Sequence, residues 1–156
     1  MTGRTLKAVK GILGYTATET VMLDFDKTSF KTVRYWARRV CRWFKLQGFI
    51  IARSSSGNYH VVFNRPVSWT LNTSIMAWTC LETKFHKHLT RWFIMQCIKQ
   101  ASTLRCGRKG EKPCPRVVFR QGKQDSEIES YLQYRRLIRK CEREDTGLRK
   151  GACADC

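Results

Sequence analysis

The run VMLDFD at positions 21–26 decides the fold that we expect for this chain. Side chains of a strand alternate between two faces, so Asp24 and Asp26 point to one face while Leu23 and Phe25 point to the other. Two neighbouring carboxylates repel each other unless a cation lies between them, and Mg²⁺ and Mn²⁺ prefer such oxygen ligands. The run therefore predicts a metal site at the end of a strand. Two acids that only end a strand, one of them capping the next helix, are the alternative interpretation.

The charge of the chain indicates an anionic partner. Among 156 residues there are 30 lysines and arginines against 12 acids, which gives a net charge of +18. Such an excess favours nucleic acid over an acidic membrane surface as the partner. No apolar run approaches the ~18 residues that a membrane span needs, so we expect no membrane partner. We expect a cytoplasmic protein in which the eight cysteines are thiols or metal ligands rather than disulfides.

Helical and strand patterns alternate after the first glycine-rich segment. We expect strands at 21–26, 49–53, 59–63 and 116–121, and helices at 30–46, about 74–100 and 126 to about 143. The first six of these elements follow the βαββαβ order of ferredoxin-like and RNA-recognition-motif folds, an α+β class. The usual strand order, 4-1-3-2, places the first strand beside the third. The predicted domains are this module over residues 1–123 and a C-terminal helix with a basic, cysteine-containing tail over 124–156.

The turn between the second and third predicted strands offers groups that bind phosphate. Ser54, Ser55 and Ser56 supply hydroxyls, and Gly57 supplies a permissive backbone. His60 follows on the strand that we expect beside the acid pair, where it can contact a phosphate or its metal. A flexible turn followed by a structural histidine is the alternative interpretation.

These two motifs resemble those of the archaeo-eukaryotic primases, including the small primase-polymerases of plasmids and viruses. The resemblance implies that Asp24, Asp26 and His60 are catalytic and that the two acids bind two Mg²⁺ or Mn²⁺ ions. It also implies that the hairpin holds the triphosphate of the incoming nucleotide; the residues concerned are Arg53, Ser54, Ser56, Gly57 and His60. The implied function is a nucleotidyltransferase acting on single-stranded DNA or a primer-template, with nucleoside triphosphates as substrates and replication proteins as further partners.

Two positions depart from the family pattern. Asn58 stands two residues before His60, where the family has serine. The last predicted strand holds Arg120 where the family has a third acid, so a third carboxylate would have to come from Asp125, Glu127 or Glu19. Without one, the chain would be a non-catalytic nucleic-acid-binding protein on the same fold.

Cysteines in the last third of the chain suggest a zinc site, because zinc favours four thiolate or imidazole ligands. The candidate ligands are Cys106, Cys114, Cys153 and Cys156, with Cys141 as a spare. Free thiols are the alternative interpretation.

Two further patterns concern contacts with nucleic acid. A basic stripe on the first helix suits phosphate contacts, with Trp36 and Trp43 nearby for stacking; it consists of Arg34, Arg38, Arg42 and Lys45. A second basic surface is offered by Arg135, Arg136, Arg139 and Lys140. The pair His86 and His88, with Tyr131 or Tyr134 as nucleophile, would suit a rolling-circle replication initiator, but histidines two apart on a helix do not share a face.

Overall fold

The computed structural model describes the backbone of residues 13–151 and the side chains of residues 13–143. Its strands are β1 (Gly14–Ala17), β2 (Thr20–Phe25), β3 (Gly48–Ser55), β4 (Asn58–Pro66), β5 (Ser102–Arg105) and β6 (Arg116–Gly122). Its helices are α1 (Phe30–Trp43), α2 (Trp69–Glu82), α3 (Lys87–Lys99) and α4 (Ser126–Gly151). The α+β class is confirmed. No helix in the described part of the chain is long and apolar enough to cross a membrane.

Both faces of the main sheet are covered. The sheet is antiparallel with the order β2-β4-β3-β6, and β1 and β5 form a separate antiparallel pair. Leu23, Phe25 and Val61 belong to a core that is shared with α1, α2 and α3. Met22 and Val62, on the opposite face, pack with β1, β5 and α4. The alternation in VMLDFD therefore places Asp24 on the second face, beyond the end of its apolar cluster.

Helix α1 has the predicted buried and basic faces but ends at Trp43 rather than at residue 46, and Lys45 follows it with a φ of 52°. The hydroxyl of Ser29 accepts a hydrogen bond from the backbone N–H of Thr32 and caps the helix. Val33, Ala37 and Val40 are buried in the core, while the arginines between them face outward. The chain turns sharply after the helix, and at Gly48 a Cβ atom would collide with the backbone of Lys123. Glycine is required there because β3 and the segment after β6 come into close contact.

The prediction of one helix over 74–100 is wrong. Helices α2 and α3 are separated at Thr83, and the next two residues, Lys84 and Phe85, have positive φ angles of 53° and 55°. The hydroxyl of Thr83 donates to the carbonyls of Thr79 and Cys80, where it competes with the helical ladder. Apolar residues continue on both sides of the break, so periodicity alone did not reveal it. Helix α4 begins at Ser126 as predicted but extends to Gly151 rather than to about residue 143.

The expected strand order is confirmed for the first three strands of the predicted module and wrong for the fourth. The first strand of the predicted module, β2, lies beside the third, β4, with Asp24 opposite His60. The last predicted strand, β6, pairs with β3 at the opposite edge instead of with β2. Strand β5 lies near β2 but does not pair with it. Both β1 and β5 have four residues, too few for an alternating pattern to predict them.

Candidate active site

The two acids lie in one pocket with His60, at the end of the second face of the sheet. The pocket is lined by Asp24, Asp26, Ser54, Ser55, Asn58, His60, Arg105, Lys109 and Lys112. Oδ1 of Asp24 is 3.7 Å from Nε2 of His60, which is longer than a hydrogen bond. The structure thus brings together the residues of both sequence motifs and adds three cations to them.

Two backbone N–H groups of the segment after Asp26 donate hydrogen bonds to the turn between β3 and β4. The N–H of Lys27 donates to Oδ1 of Asn58 over 2.9 Å, and the N–H of Thr28 donates to the carbonyl of Gly57 over 2.9 Å. Nδ2 of Asn58 also donates to the hydroxyl of Ser55 over 2.6 Å. Asn58, which departs from the family pattern, therefore has a structural role. It joins the segment after Asp26 to the turn at residues 54–57, which we call the serine turn.

The ionisation of Asp24 is unfavourable without a cation. Burial, reinforced by the charge of Asp26 and partly offset by that of Arg105, raises the pKa of Asp24 to about 7. Its Oδ1 atom is buried and has no hydrogen-bond partner within the described part of the chain. A metal ion between the two carboxylates would supply the missing partner and remove the repulsion between them.

His60 is a neutral group at physiological pH. Its surface is 4% exposed, and burial, followed by the charges of Arg105 and Arg135, lowers its pKa to about 3. Its Nδ1 atom is buried without a hydrogen-bond partner among the described residues. A neutral imidazole can donate a hydrogen bond to a phosphate oxygen or bind a metal, but it cannot act there as a cation.

Arg105 is the central residue that the sequence did not reveal. Its Nη1 atom donates to the carbonyls of Gly107 and Pro113 over 2.6 and 2.8 Å, and its Nη2 atom donates to that of Ser54 over 2.8 Å. Arg105 thereby joins the end of β5, the loop that follows it and the hairpin turn. No pattern in the sequence indicated β5, so nothing pointed to the arginine at its end.

Two lysines extend over the pocket from the loop after β5. Lys109 and Lys112 exchange two backbone hydrogen bonds of 3.0 Å, and Gly110 between them has a φ of 55°. This tight turn makes both exposed side chains part of the pocket lining. The clustering of glycine, lysine and proline at 106–115 was the only sequence signal for it.

The residues predicted to hold the triphosphate lie at two places: the pocket that contains Asp24 and Asp26, which we call the acid pocket, and a neighbouring groove. Ser54, with His60, lines the acid pocket, and Gly57 forms the turn with a φ of 70°. Arg53 and Ser56 are exposed and line a neighbouring groove together with Arg116.

None of the proposed third acids lies at the acid pocket. Oδ1 of Asp125 accepts a hydrogen bond from Asn64, which is four residues along β4 from His60, about 13 Å away. Glu127 accepts a hydrogen bond from the hydroxyl of Thr20, equally far from Asp24 along β2, and Glu19 lies one residue further still. No group of three or more histidine, cysteine or acidic side chains in the described part is placed to hold a metal ion. Asp24, Asp26 and His60 share the pocket without forming such a group, so a metal ion held there would need further ligands from substrate and water.

The cysteines of the predicted zinc site have other partners. Cys106 is buried, its Sγ atom donates to the carbonyl of Leu104, and burial raises its pKa to about 11. The Sγ atom of Cys114 donates to a carboxylate oxygen of Glu142 over 2.7 Å. Cys141 is exposed, and Cys153 and Cys156 lie outside the described residues. The zinc site remains a prediction.

The basic stripe of α1 lies next to β6. The guanidinium groups of Arg34 and Arg38 each lie 5.8 Å from the ring centre of Phe119, and Nε of Arg38 donates to Gln121. Arg42 and Lys45 are exposed. The second basic surface, on α4, is more engaged with the protein: Arg135 and Arg139 donate to the carbonyl of Pro115, and Arg136 pairs with Glu129. Lys140 is exposed.

The residues suggested for a rolling-circle initiator do not form a nicking site. His86 lies at the N-terminus of α3, without a capping hydrogen bond from its side chain, and His88 lies in the first turn, with ring centres 6.0 Å apart. Tyr131 has no exposed surface, and burial raises its pKa well above the ordinary value. The hydroxyl of Tyr134 donates to the carbonyl of Gly14. Neither tyrosine presents a hydroxyl that is ready to attack a DNA phosphate.

Comparison of the chain with protein-family models, with curated proteins and with solved structures finds no match in any of the three. The functional assignment therefore depends on the chemistry of the acid pocket.

Proposed function

We propose that this protein is a metal-dependent nucleotidyltransferase of the primase-polymerase kind, which joins nucleotides to a nucleic-acid strand on a template. The observation that carries the proposal is the acid pocket itself: a carboxylate pair beside a neutral histidine, under a rim of three cationic side chains. We also propose that residues 20–122 are a variant of the RNA-recognition-motif module. In this variant β6 lies at the edge of the sheet opposite β2, and β5 packs near β2.

A nucleoside triphosphate with its metal ions matches both halves of the pocket. Asp24 and Asp26 would hold the metal ions, and Lys109 and Lys112 would neutralise the phosphates. His60, being neutral, would donate a hydrogen bond to a phosphate oxygen without adding charge. The hydroxyls of the serine turn complete the donor set on the hairpin side.

The chemistry would be an in-line displacement at the α-phosphate of the nucleotide. The 3′-hydroxyl of the growing strand forms the new ester bond, loses its proton to solvent, and pyrophosphate leaves. Bound Mg²⁺ or Mn²⁺ would activate the hydroxyl and stabilise the developing charge. The lysines of the loop would stabilise the departing pyrophosphate.

A second candidate function is nucleotide-dependent binding of nucleic acid without catalysis. It is favoured by one observation: β5, which lies near β2, ends in Arg105, and no third carboxylate lines the described pocket. Such a protein would bind the same ligands on the same surfaces but would not join them.

Primer extension separates these functions. With Mn²⁺ or Mg²⁺, nucleoside triphosphates and a primed single-stranded template, the wild type should extend the primer. Asp24→Ala and Asp26→Ala should each abolish extension, whereas Glu129→Gln, at an exposed acid on α4, should leave it intact. Extension that survives both alanine substitutions would refute the site. A wild type that binds nucleotide and template but extends nothing would support the second candidate.

A further inference from the structure

We propose that a single strand of nucleic acid lies in the groove beside the acid pocket, with its 3′ end at Asp24 and Asp26. The groove runs between the serine turn and the loop before β6. Its lining includes Arg53, Ser55, Ser56, Pro113, Arg116 and Val118. Ser54 and Ser55 belong to the lining of both the groove and the acid pocket, so the two adjoin at these serines.

An uncompensated pair of charges indicates an anionic occupant. Arg53 on β3 and Arg116 on β6 are direct partners across the antiparallel ladder, and both are exposed. Like charges directly opposite each other destabilise a sheet. No acid is among the residues that line this groove. A phosphate between the two guanidinium groups would turn the repulsion into two favourable contacts.

The remaining lining suits the other parts of a nucleotide strand. Val118 is 44% exposed and lies with Val117 and Pro113 in the groove, where these side chains can contact sugars and bases. The hydroxyls of Ser55 and Ser56 can donate to phosphate oxygens. A backbone that tracks a basic groove, with apolar contacts to its bases, is the usual mode of single-strand binding.

The direction of the strand rests on the proposed function. If the acid pocket joins nucleotides, the end of the strand that reaches the shared serines must carry the 3′-hydroxyl. The affinity of the groove does not depend on that assignment, since it requires neither metal nor acids.

The test measures binding of a fluorescent single-stranded oligodeoxythymidine by anisotropy, in EDTA and at several salt concentrations. The double variant R53Q/R116Q should bind about tenfold more weakly at ~0.1 M salt, and its salt slope should fall by about 0.7, the contribution of the one phosphate that the two arginines share. The charge-matched control K87Q/R91Q, at exposed positions of α3, should bind as the wild type does. Thermal melting should show an R53Q/R116Q fold at least as stable as the wild type, because the repulsion has been removed. Unchanged affinity and slope in R53Q/R116Q would overturn the proposal.

Photo-crosslinking tests the direction. A 4-thiothymidine at the 3′ end should crosslink within the 54–60 segment, and one at the 5′ end should not; the reverse result would overturn the orientation. If R53Q/R116Q loses binding while the wild type never extends a primer, the groove stands and the proposed polymerisation falls. If the wild type extends primers while R53Q/R116Q binds and extends equally well, the groove falls alone.

Discussion

Replacing Asp24 by asparagine should stabilise the metal-free protein, and more at pH 8 than at pH 5. The pKa of Asp24 is raised from 3.8 to about 7, chiefly by burial and then by Asp26. The folded protein therefore keeps a proton that the unfolded chain releases. This destabilisation is absent below about pH 4, grows as the pH rises from about 4 to about 7, and is constant at higher pH.

The size of the effect follows from the shift. A difference of about three pKa units corresponds to an upper limit of about 4 kcal/mol at pH 8, and of about 2 kcal/mol at pH 5, where the proton is still bound in the folded state. The side chain retains 23% exposure, so solvent screens part of the charge. We therefore expect Asp24→Asn to raise the free energy of unfolding by about half of each limit.

Urea denaturation in EDTA at both pH values measures this prediction. Glu129→Gln, which removes the carboxylate that pairs with Arg136 on α4, should show no gain in stability at pH 8. Added Mn²⁺ at pH 8 should then stabilise the wild type, since it binds only the folded state, and should stabilise Asp24→Asn much less. A gain that is equal at pH 5 and pH 8 would refute the argument that Asp24 carries an uncompensated charge. Equal stabilisation of both proteins by Mn²⁺ would place the metal elsewhere.

Three further predictions concern ligands. His60→Ala should weaken nucleoside triphosphate binding by about 1–3 kcal/mol in a nucleotide titration, the range for a hydrogen bond to a charged group. Its circular dichroism spectrum should stay native. An unfolded variant would support a structural histidine instead. Lys109→Gln with Lys112→Gln should weaken binding of a triphosphate far more than that of a monophosphate, because both ammonium groups face the phosphate side; an equal loss for both ligands would contradict this role. The charge-reversal variant R34E/R38E/R42E should lower the salt slope of oligonucleotide binding. An unchanged slope would show that the nucleic acid does not contact α1.

Asp24 and the hairpin could be predicted because they lie on strands of six residues or more, and Asp26 directly follows the first of these strands. The direction of successive side chains along a strand fixes which of them share a face. The register of β2 and β4 then places Asp24 opposite His60, as expected from the order of the first and third strands. The elements that complete the site could not be predicted in the same way.

The cationic side of the pocket depends on contacts that are distant in sequence. Arg105 reaches the site because β5 pairs with β1, and the carbonyls that it binds belong to the loop after β5 and to the hairpin. Lys109 and Lys112 are brought over the pocket by a turn that this arginine holds in place. Neither feature has a local period or a spacing that a single sequence reveals. The break between α2 and α3 was missed for a related reason, since the side chain of Thr83 competes for carbonyls that periodicity does not describe.

Arg105 bears directly on the choice between catalysis and binding alone. Arg105 brings a positive charge and no metal ligand to the pocket, which favours the binding candidate. The same charge also lowers the pKa of Asp24 against the effects of burial and Asp26, and so favours its ionised form near neutral pH. A protonated Asp24 could not hold a metal ion, whereas an ionised one beside Asp26 can hold at least one. Burial, followed by the charge of Arg105, lowers the pKa of His60 and keeps the imidazole neutral. Arg105 thus favours the ionised form of Asp24 and the neutral form of His60, whereas its own positive charge repels a metal ion. Measured binding of Mn²⁺ at this pocket therefore decides between catalysis and binding alone.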